Sequence, residues 1–177
     1  MNEQVDFYQI YNDQVKMVYN LCLNYLQNTE DAEEATQDIF VKVYENLSKF
    51  KGESTAKTWI YRITIRHCLD IIKSKNRQKR FGFMQSLFGK TGNEIIELTN
   101  FNHPGIELEN KQAVKTIISA INALPENQKT AIILKSIEDL KGKEIAEIMS
   151  ISEKAVESLL SRAKQNLKEK LNKNEGN

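Results

Sequence analysis

Five apolar residues at helical spacing, Val156, Leu160, Ala163, Leu167 and Leu171, constrain this chain more than any other feature. They draw one apolar stripe along a single long helix. Ile145, Ala146, Ile148 and Met149 mark a shorter helix before it. Only Ser150-Ile151-Ser152 separates the two. The Ser152 hydroxyl can cap the long helix. Ile151 is an aliphatic in a turn, where it plugs the angle between helices. Ala131, Ile133, Leu134 and Ile137 give a preceding helix its own apolar face. Residues 122–171 therefore read as a helix-turn-helix unit. The outer face of the last helix carries Lys154, Ser158, Ser161, Arg162, Lys164 and Gln165. Such side chains reach phosphates and base edges in a major groove. Glu153 and Glu157 near its start would repel phosphates. A plain three-helix bundle with a solvated charged face fits the same pattern almost as well.

The chain has 177 residues and a formal net charge of +1. That length allows two small helical domains or one larger one. Seven Gly and two Pro suit a helical protein. No apolar run approaches the roughly 20 residues of a membrane span, so no membrane insertion is expected. The acidic, interrupted start is not a signal peptide, and a cytoplasmic protein is expected. Cys22 and Cys68 lack metal-ligand spacing and lie inside helical patterns. They read as buried, reduced thiols. His67 and His103 have no Cys or carboxylate partners at ligand spacing, so no metal is expected. The sequence offers no Gly-rich phosphate loop, nucleophile–base pair or converging carboxylates. Neither catalysis nor a cofactor is expected.

The near-neutral total hides a partition. Residues 1–50 hold nine acids and three bases, whereas residues 51–80 hold nine bases and two acids. Such blocks suggest separate surfaces for separate partners. A helix is expected over residues 5–26. A second, capped by Thr29 or Asp31, runs to about Asn46 with Ala32, Ala35, Ile39, Phe40, Val43 and Leu47 inward. Its other face shows Glu33, Glu34, Gln37, Asp38 and Glu45. Some of that acidity answers the helix dipole; the rest offers a surface to a basic partner. After the SKFKGES loop, a basic helix starts near Thr55. It turns Trp59, Ile60, Ile63, Ile65, Leu69 and Ile72 inward and Arg62, Arg66, Lys73 and Arg77 outward, and it ends in KSKNRQKR. Phe50 in the loop either stacks on an unpaired base or plugs the core. Residues 81–110 mix glycines with short apolar pieces and read as a flexible linker. Helices resume near Glu107. The expected fold is all-α, with domains at residues 1–80 and 111–177.

With these segments in order, the chain resembles a bacterial RNA polymerase sigma factor of the extracytoplasmic-function (ECF) group. DAEEATQDIFVKVYENLSKF is similar to the core-binding helix of the first sigma domain, and TAKTWIYRITIRHCLDIIKSKNRQKR to the promoter-melting segment. ALPENQKTAIILKSIEDLKGKEIAEIMSISEKAVESLLSRAKQNLKEKL is similar to the second sigma domain. The resemblance implies an initiation factor that binds core polymerase at the β′ clamp and β flap, recognises promoter DNA and is held by an anti-sigma factor. It implies polymerase binding through Glu34, Gln37 and Asp38. Phe50, Lys51, Gly52, Arg62, Arg66, Lys73 and Arg77 would face the minus-ten element. Lys154, Ser158, Ser161 and Arg162 would face the minus-thirty-five element. Relatives often carry Asn at Arg66, basic residues at Glu157 and Leu159, and Gly at Ser150. A helix-turn-helix regulator without sigma activity explains residues 122–171 equally well. It does not explain the acidic helix followed by a basic one.

Overall fold

The computed structural model describes residues 6–88 and 111–175, and every regular element among them is helical. They are α1 (Phe7–Leu26), α2 (Thr29–Asn46), a single 3-10 turn (Leu47–Lys49), α3 (Ala56–Phe88), α4 (Lys111–Asn122), α5 (Glu126–Ile132), a π-helical segment (Ile133–Ile137), α6 (Gly142–Met149) and α7 (Glu153–Glu175). The chain divides into two compact units. One comprises Met1–Glu53 with Ile63–His103, the other Ser54–Arg62 with Pro104–Asn177.

In the first unit, the Asp6 carboxylate accepts from the Tyr8 N–H at 3.0 Å and caps α1. The helix ends where Gln27 turns left-handed at φ 58°. The cap of α2 is Asn28, not Thr29 or Asp31; its side-chain oxygen accepts from the Asp31 N–H at 2.9 Å. Three neighbouring residues carry capping oxygens, and Asn28 alone has the extended backbone of a cap. Val18, Leu21 and Cys22 of α1 pack in a core with Ala32, Ala35, Ile39 and Val43 of α2, all fully buried. Each large aliphatic so buried contributes about 1.5–3 kcal/mol. The one hydroxyl on that face, Thr36, returns its proton to the Ala32 carbonyl at 2.6 Å. At the other end, Phe7 meets Tyr44 edge-on with centroids 5.2 Å apart, and Tyr11 meets Phe40 at 4.7 Å.

Helix α3 starts on Thr55, whose hydroxyl oxygen accepts from the Thr58 N–H at 3.1 Å. Its inner face is Ile60, Tyr61, Thr64, Ile65 and Cys68; Trp59, Ile63, Leu69 and Ile72 are only half-buried. It does not end in the basic run but continues to Phe88. Residues 81–88 of the expected linker are thus helical, and residues 89–110 lie outside the described residues, as do the expected helix start at Glu107 and His103.

In the second unit, Leu124, Ile132 and Ala163 form a core with Ile121, Leu160 and Leu167 packed against it. Pro125 opens α5, where its missing N–H costs nothing. Ile133 and Leu134 are fully buried as expected, but Ile137 is 45% exposed. The cause is the π segment, in which the Glu138 N–H reaches back five residues to the Ile133 carbonyl at 3.1 Å. One extra residue in the turn swings Ile137 outward and sets the half-buried Glu138 beneath Ile133 instead. Helix α6 opens with the Glu144 carboxylate accepting from the Lys141 N–H at 2.8 Å. It closes on Ser150, left-handed at φ 55°. A glycine would hold that conformation without strain, which accounts for the preference for Gly in the resembling family. The Ile151 N–H then bonds the Ala146 carbonyl at 3.0 Å, and the half-buried Ile151 sits in the corner. Ser152 caps α7 as expected, its hydroxyl oxygen accepting from the Ala155 N–H at 3.2 Å.

Candidate functional site

Three surfaces carry the residues singled out from the sequence. The first is the outer side of α2. Glu34, Gln37 and Asp38 are all exposed there, one helical turn apart. Buried Ala35, Ile39 and Val43 on the opposite side fix this orientation. Asp38 is not isolated. Its Oδ2 lies 3.4 Å from Nε2 of His67 on α3, close enough for attraction but not aligned as a hydrogen bond. Nδ1 of the same ring accepts from the Lys42 ammonium at 2.5 Å. Partial burial, and then the Lys42 charge, push the His67 pKa below its ordinary value; Asp38 opposes this but does not prevail. The ring is held neutral, with its proton on Nε2 facing Asp38. Lys75 forms a short ion pair with Asp31 at the start of α2. Reading the sequence missed His67 as a partner of Asp38. No local spacing signals the pair, because it forms between two helices.

The second surface is the basic side of α3 and the loop before it. Arg66, Lys73 and Arg77 are exposed along one face in the first unit. Arg62 belongs to the second unit, where its guanidinium donates to the Glu147 carbonyl at 2.6 Å. Arg62 and Arg66 nevertheless stand four residues, one turn, apart on the same helix α3. In the loop, Lys51 and Gly52 are exposed and Phe50 is half-buried. Gly52 has φ 71°, and nothing lies within 4 Å of where a Cβ would be. The glycine is there for its backbone, and it leaves open space beside it. Tyr61, next to Arg62, donates its hydroxyl to Glu138 Oε2 at 2.9 Å within the second unit. Burial raises the pKa of both groups, and for Tyr61 the Glu138 charge adds to the rise.

The third surface is the outer side of α7. Lys154, Ser158, Ser161 and Arg162 are all exposed, at positions i, i+4, i+7 and i+8 of one helix face. Val156 and Ala163 are buried on the other side and set its rotation. The Arg162 guanidinium donates to the Ser158 hydroxyl at 2.9 Å and to the Ser158 carbonyl at 3.3 Å. That folds a long, flexible cation along the face before any ligand arrives. Glu157 is exposed and Leu159 half-buried. Among the described residues no group of three or more His, Cys, Asp or Glu side chains could hold a metal ion. No helix among them is long and apolar enough to cross a membrane.

A helix-turn-helix with an exposed polar face on its second helix, after a unit with one acidic and one basic helix face, defines a two-part helical transcription protein. The comparisons take this further. Residues 10–78 match the family model for sigma-70 region 2, and residues 115–167 match that for sigma-70 region 4. The RNA polymerase sigma factor YlaC of Bacillus subtilis is 30% identical over 165 residues, covering 91% of each chain. The ECF sigma factor SigW of the same organism is 30% identical over 173 residues, covering 94% of this chain and 87% of its own. The ECF sigma-E factor of Haemophilus influenzae is 26% identical, with 88% of each chain covered. In fold, the chain is similar to the sigma factor RpoE in its complex with the anti-sigma factor NepR from Bartonella quintana. That likeness has TM-score 0.62 and 21% identity, covering 94% and 97% of the two chains. It is also similar to CnrH in complex with the cytosolic domain of CnrY, with TM-score 0.65 and 19% identity, covering 97% and 90%. The chain belongs to the ECF group of RNA polymerase sigma factors. The match over residues 10–78 disfavours a helix-turn-helix regulator without sigma activity, which has no use for that segment.

Proposed function

We propose that this sigma factor divides its work among the three surfaces described above. Glu34, Gln37 and Asp38 on α2 bind the β′ clamp of core polymerase. The Phe50–Gly52 loop and the basic face of α3 engage the minus-ten element and hold it open. Lys154, Ser158, Ser161 and Arg162 on α7 read the minus-thirty-five element, in a domain that also touches the β flap. The domains are residues 1–80 and 111–177, with residues 81–110 between them. The protein works in the cytoplasm, has no catalytic centre of its own and is restrained by an anti-sigma protein; the solved complex of RpoE with the anti-sigma factor NepR gives that last point its support.

One observation carries the reading: four polar residues of α7 share one exposed face while Val156 and Ala163 anchor the other. A recognition helix needs that arrangement, because its base-reading side chains must project from a helix locked from behind. The test is run-off transcription by core polymerase supplemented with this chain, on a promoter selected from random DNA by the reconstituted holoenzyme. The expected result is a discrete transcript that requires both components. DNA binding by the chain with no transcript from the holoenzyme would refute sigma activity.

A further inference from the structure

The only two cysteines of the chain meet in the core of the first unit. Cys22 of α1 and Cys68 of α3 are each fully buried, and the Cys68 thiol points at the Cys22 sulfur with the two Sγ atoms 3.7 Å apart. They are reduced. From this geometry we propose that Cys22 and Cys68 are a modification site at which a two-electron thiol oxidant, such as a peroxide, closes a reversible disulfide between α1 and α3.

A disulfide bond is about 2.05 Å long, so closure asks the sulfurs to approach by roughly 1.6 Å. Both side chains already face one another across the helix pair, so a modest rotation about their χ1 bonds covers much of that approach. The chemistry proceeds in two steps. A thiol attacks the peroxide, the O–O bond breaks, and the sulfur becomes a sulfenic acid with release of water. The second thiol then attacks that sulfur, the S–O bond breaks, and a second water leaves with the remaining thiol proton. Two thiols and one hydrogen peroxide give one disulfide and two waters.

Burial sets the order of events. Cys22 stands four residues before the end of α1, which stops on left-handed Gln27. Cys68 lies twelve residues into α3. Helix ends open first, so Cys22 meets the oxidant and Cys68 resolves it. Oxidation is therefore paced by opening of the α1 terminus. The bond would close a loop holding all of α2 and the Phe50–Gly52 segment, both central to the proposed function.

The test uses the reduced wild-type chain treated with hydrogen peroxide and then unfolded in the presence of an alkylating agent. The expected product is monomeric, takes up no alkyl group and is lighter than the reduced chain by two hydrogen atoms. It keeps its far-ultraviolet helical signal, and dithiothreitol returns it to the starting mass. In the Cys68→Ala chain, Cys22 should instead stop at sulfenic acid or more oxidised forms. Several outcomes would overturn the proposal. They are sulfinic acid on either cysteine of the wild type, disulfide-linked dimers as the main product, loss of helix on closure, or two alkylatable thiols after peroxide has fully oxidised free dithiothreitol. The wild-type mass decides the matter even if the variant fails to fold.

Discussion

Nε2 of His67 on α3 stands 3.4 Å from Oδ2 of Asp38 on α2, and Lys42, 25 residues before the histidine, holds the other side of the ring. The relationship makes α2 sensitive to acid. The His67 pKa lies below its ordinary value of 6.5. The unfolded chain therefore binds the proton more readily, and stability falls as pH drops from about 6.5 through the folded value. The melting temperature of wild type should therefore fall between pH 7.5 and pH 5. His67→Gln should show a shallower loss over the same window. Equal slopes for the two proteins would remove His67 as the sensor.

A second pH effect has the opposite sign. Burial raises the Glu138 pKa. The folded state then holds that proton more tightly than the unfolded one, so the group's contribution is present at acid pH and lost as pH rises through the raised value. Glu138→Gln keeps an acceptor for the Tyr61 hydroxyl and carries no charge. It should melt above wild type at pH 7.5, and the gap should close toward pH 4. Tyr61→Phe should instead destabilise by about 1 kcal/mol, since Glu138 loses its donor. Calorimetry of the three proteins checks both statements.

Charge reversal on α2 tests the polymerase assignment. Glu34→Lys with Asp38→Lys should weaken binding to core polymerase by at least about tenfold, or ~1.4 kcal/mol. Circular dichroism should show unchanged helix content, because both side chains are exposed. Unaltered affinity would mean that core enzyme docks elsewhere.

On α7 the expected effects divide by role. Arg162→Ala should cost about 1–3 kcal/mol in promoter affinity and relax preference at one base pair, if the guanidinium reads a base edge. Lys154→Ala should weaken binding to all sequences alike and reduce the salt dependence by about one unit of slope. Ser158→Ala releases the guanidinium from its 2.9 Å contact, and the affinity change should then depend on Arg162 in a double-mutant cycle. Additive changes would show that Ser158 and Arg162 act separately.

The Phe50–Gly52 loop can be examined with a fluorescent base analogue moved along the minus-ten element. One non-template position should change in intensity when holoenzyme opens the promoter. Phe50→Ala with Lys51→Ala should abolish that change while duplex binding through α7 persists. A stacked base is worth about 1–3 kcal/mol, enough to be seen as a loss of open complex. A signal that survives both substitutions would move the capture site elsewhere.

Much of this architecture could be read from residue spacing, and the failures have physical causes. Helices α1, α2, α6 and α7 each show a clean 3.6-residue stripe, and Ser152 stands where a cap must. The cap of α2 is ambiguous in the sequence because Asn28, Thr29 and Asp31 each carry an oxygen able to cap a helix, and only backbone conformation chooses. The basic run and Gly82 resemble a helix stop, yet α3 continues through them to Phe88, since lysine and arginine are good helix formers. The candidate faces on α2 and α7 were legible because buried neighbours dictate rotation. The partnership of Asp38 with His67, and the meeting of Cys22 with Cys68, depend on how separate helices pack, which no local spacing encodes. Arg62 carried the same signal as Arg66, yet its guanidinium is taken by a backbone carbonyl.

The π segment at Ile133–Ile137 bears on how this chain would take the loss of one residue. A turn closed five residues back holds one residue more than an α turn. Removing a single residue there would convert it to an ordinary helical turn without opening a gap in the chain. Everything before the segment and everything after it could keep its packing, because the surplus is absorbed at one point instead of rotating the rest of the helix by about 100°. Deleting Ser136 should give a folded protein in which Glu138 keeps its half-buried place, now four residues after Ile133, whereas a chain with one residue deleted from the middle of α7 should not fold.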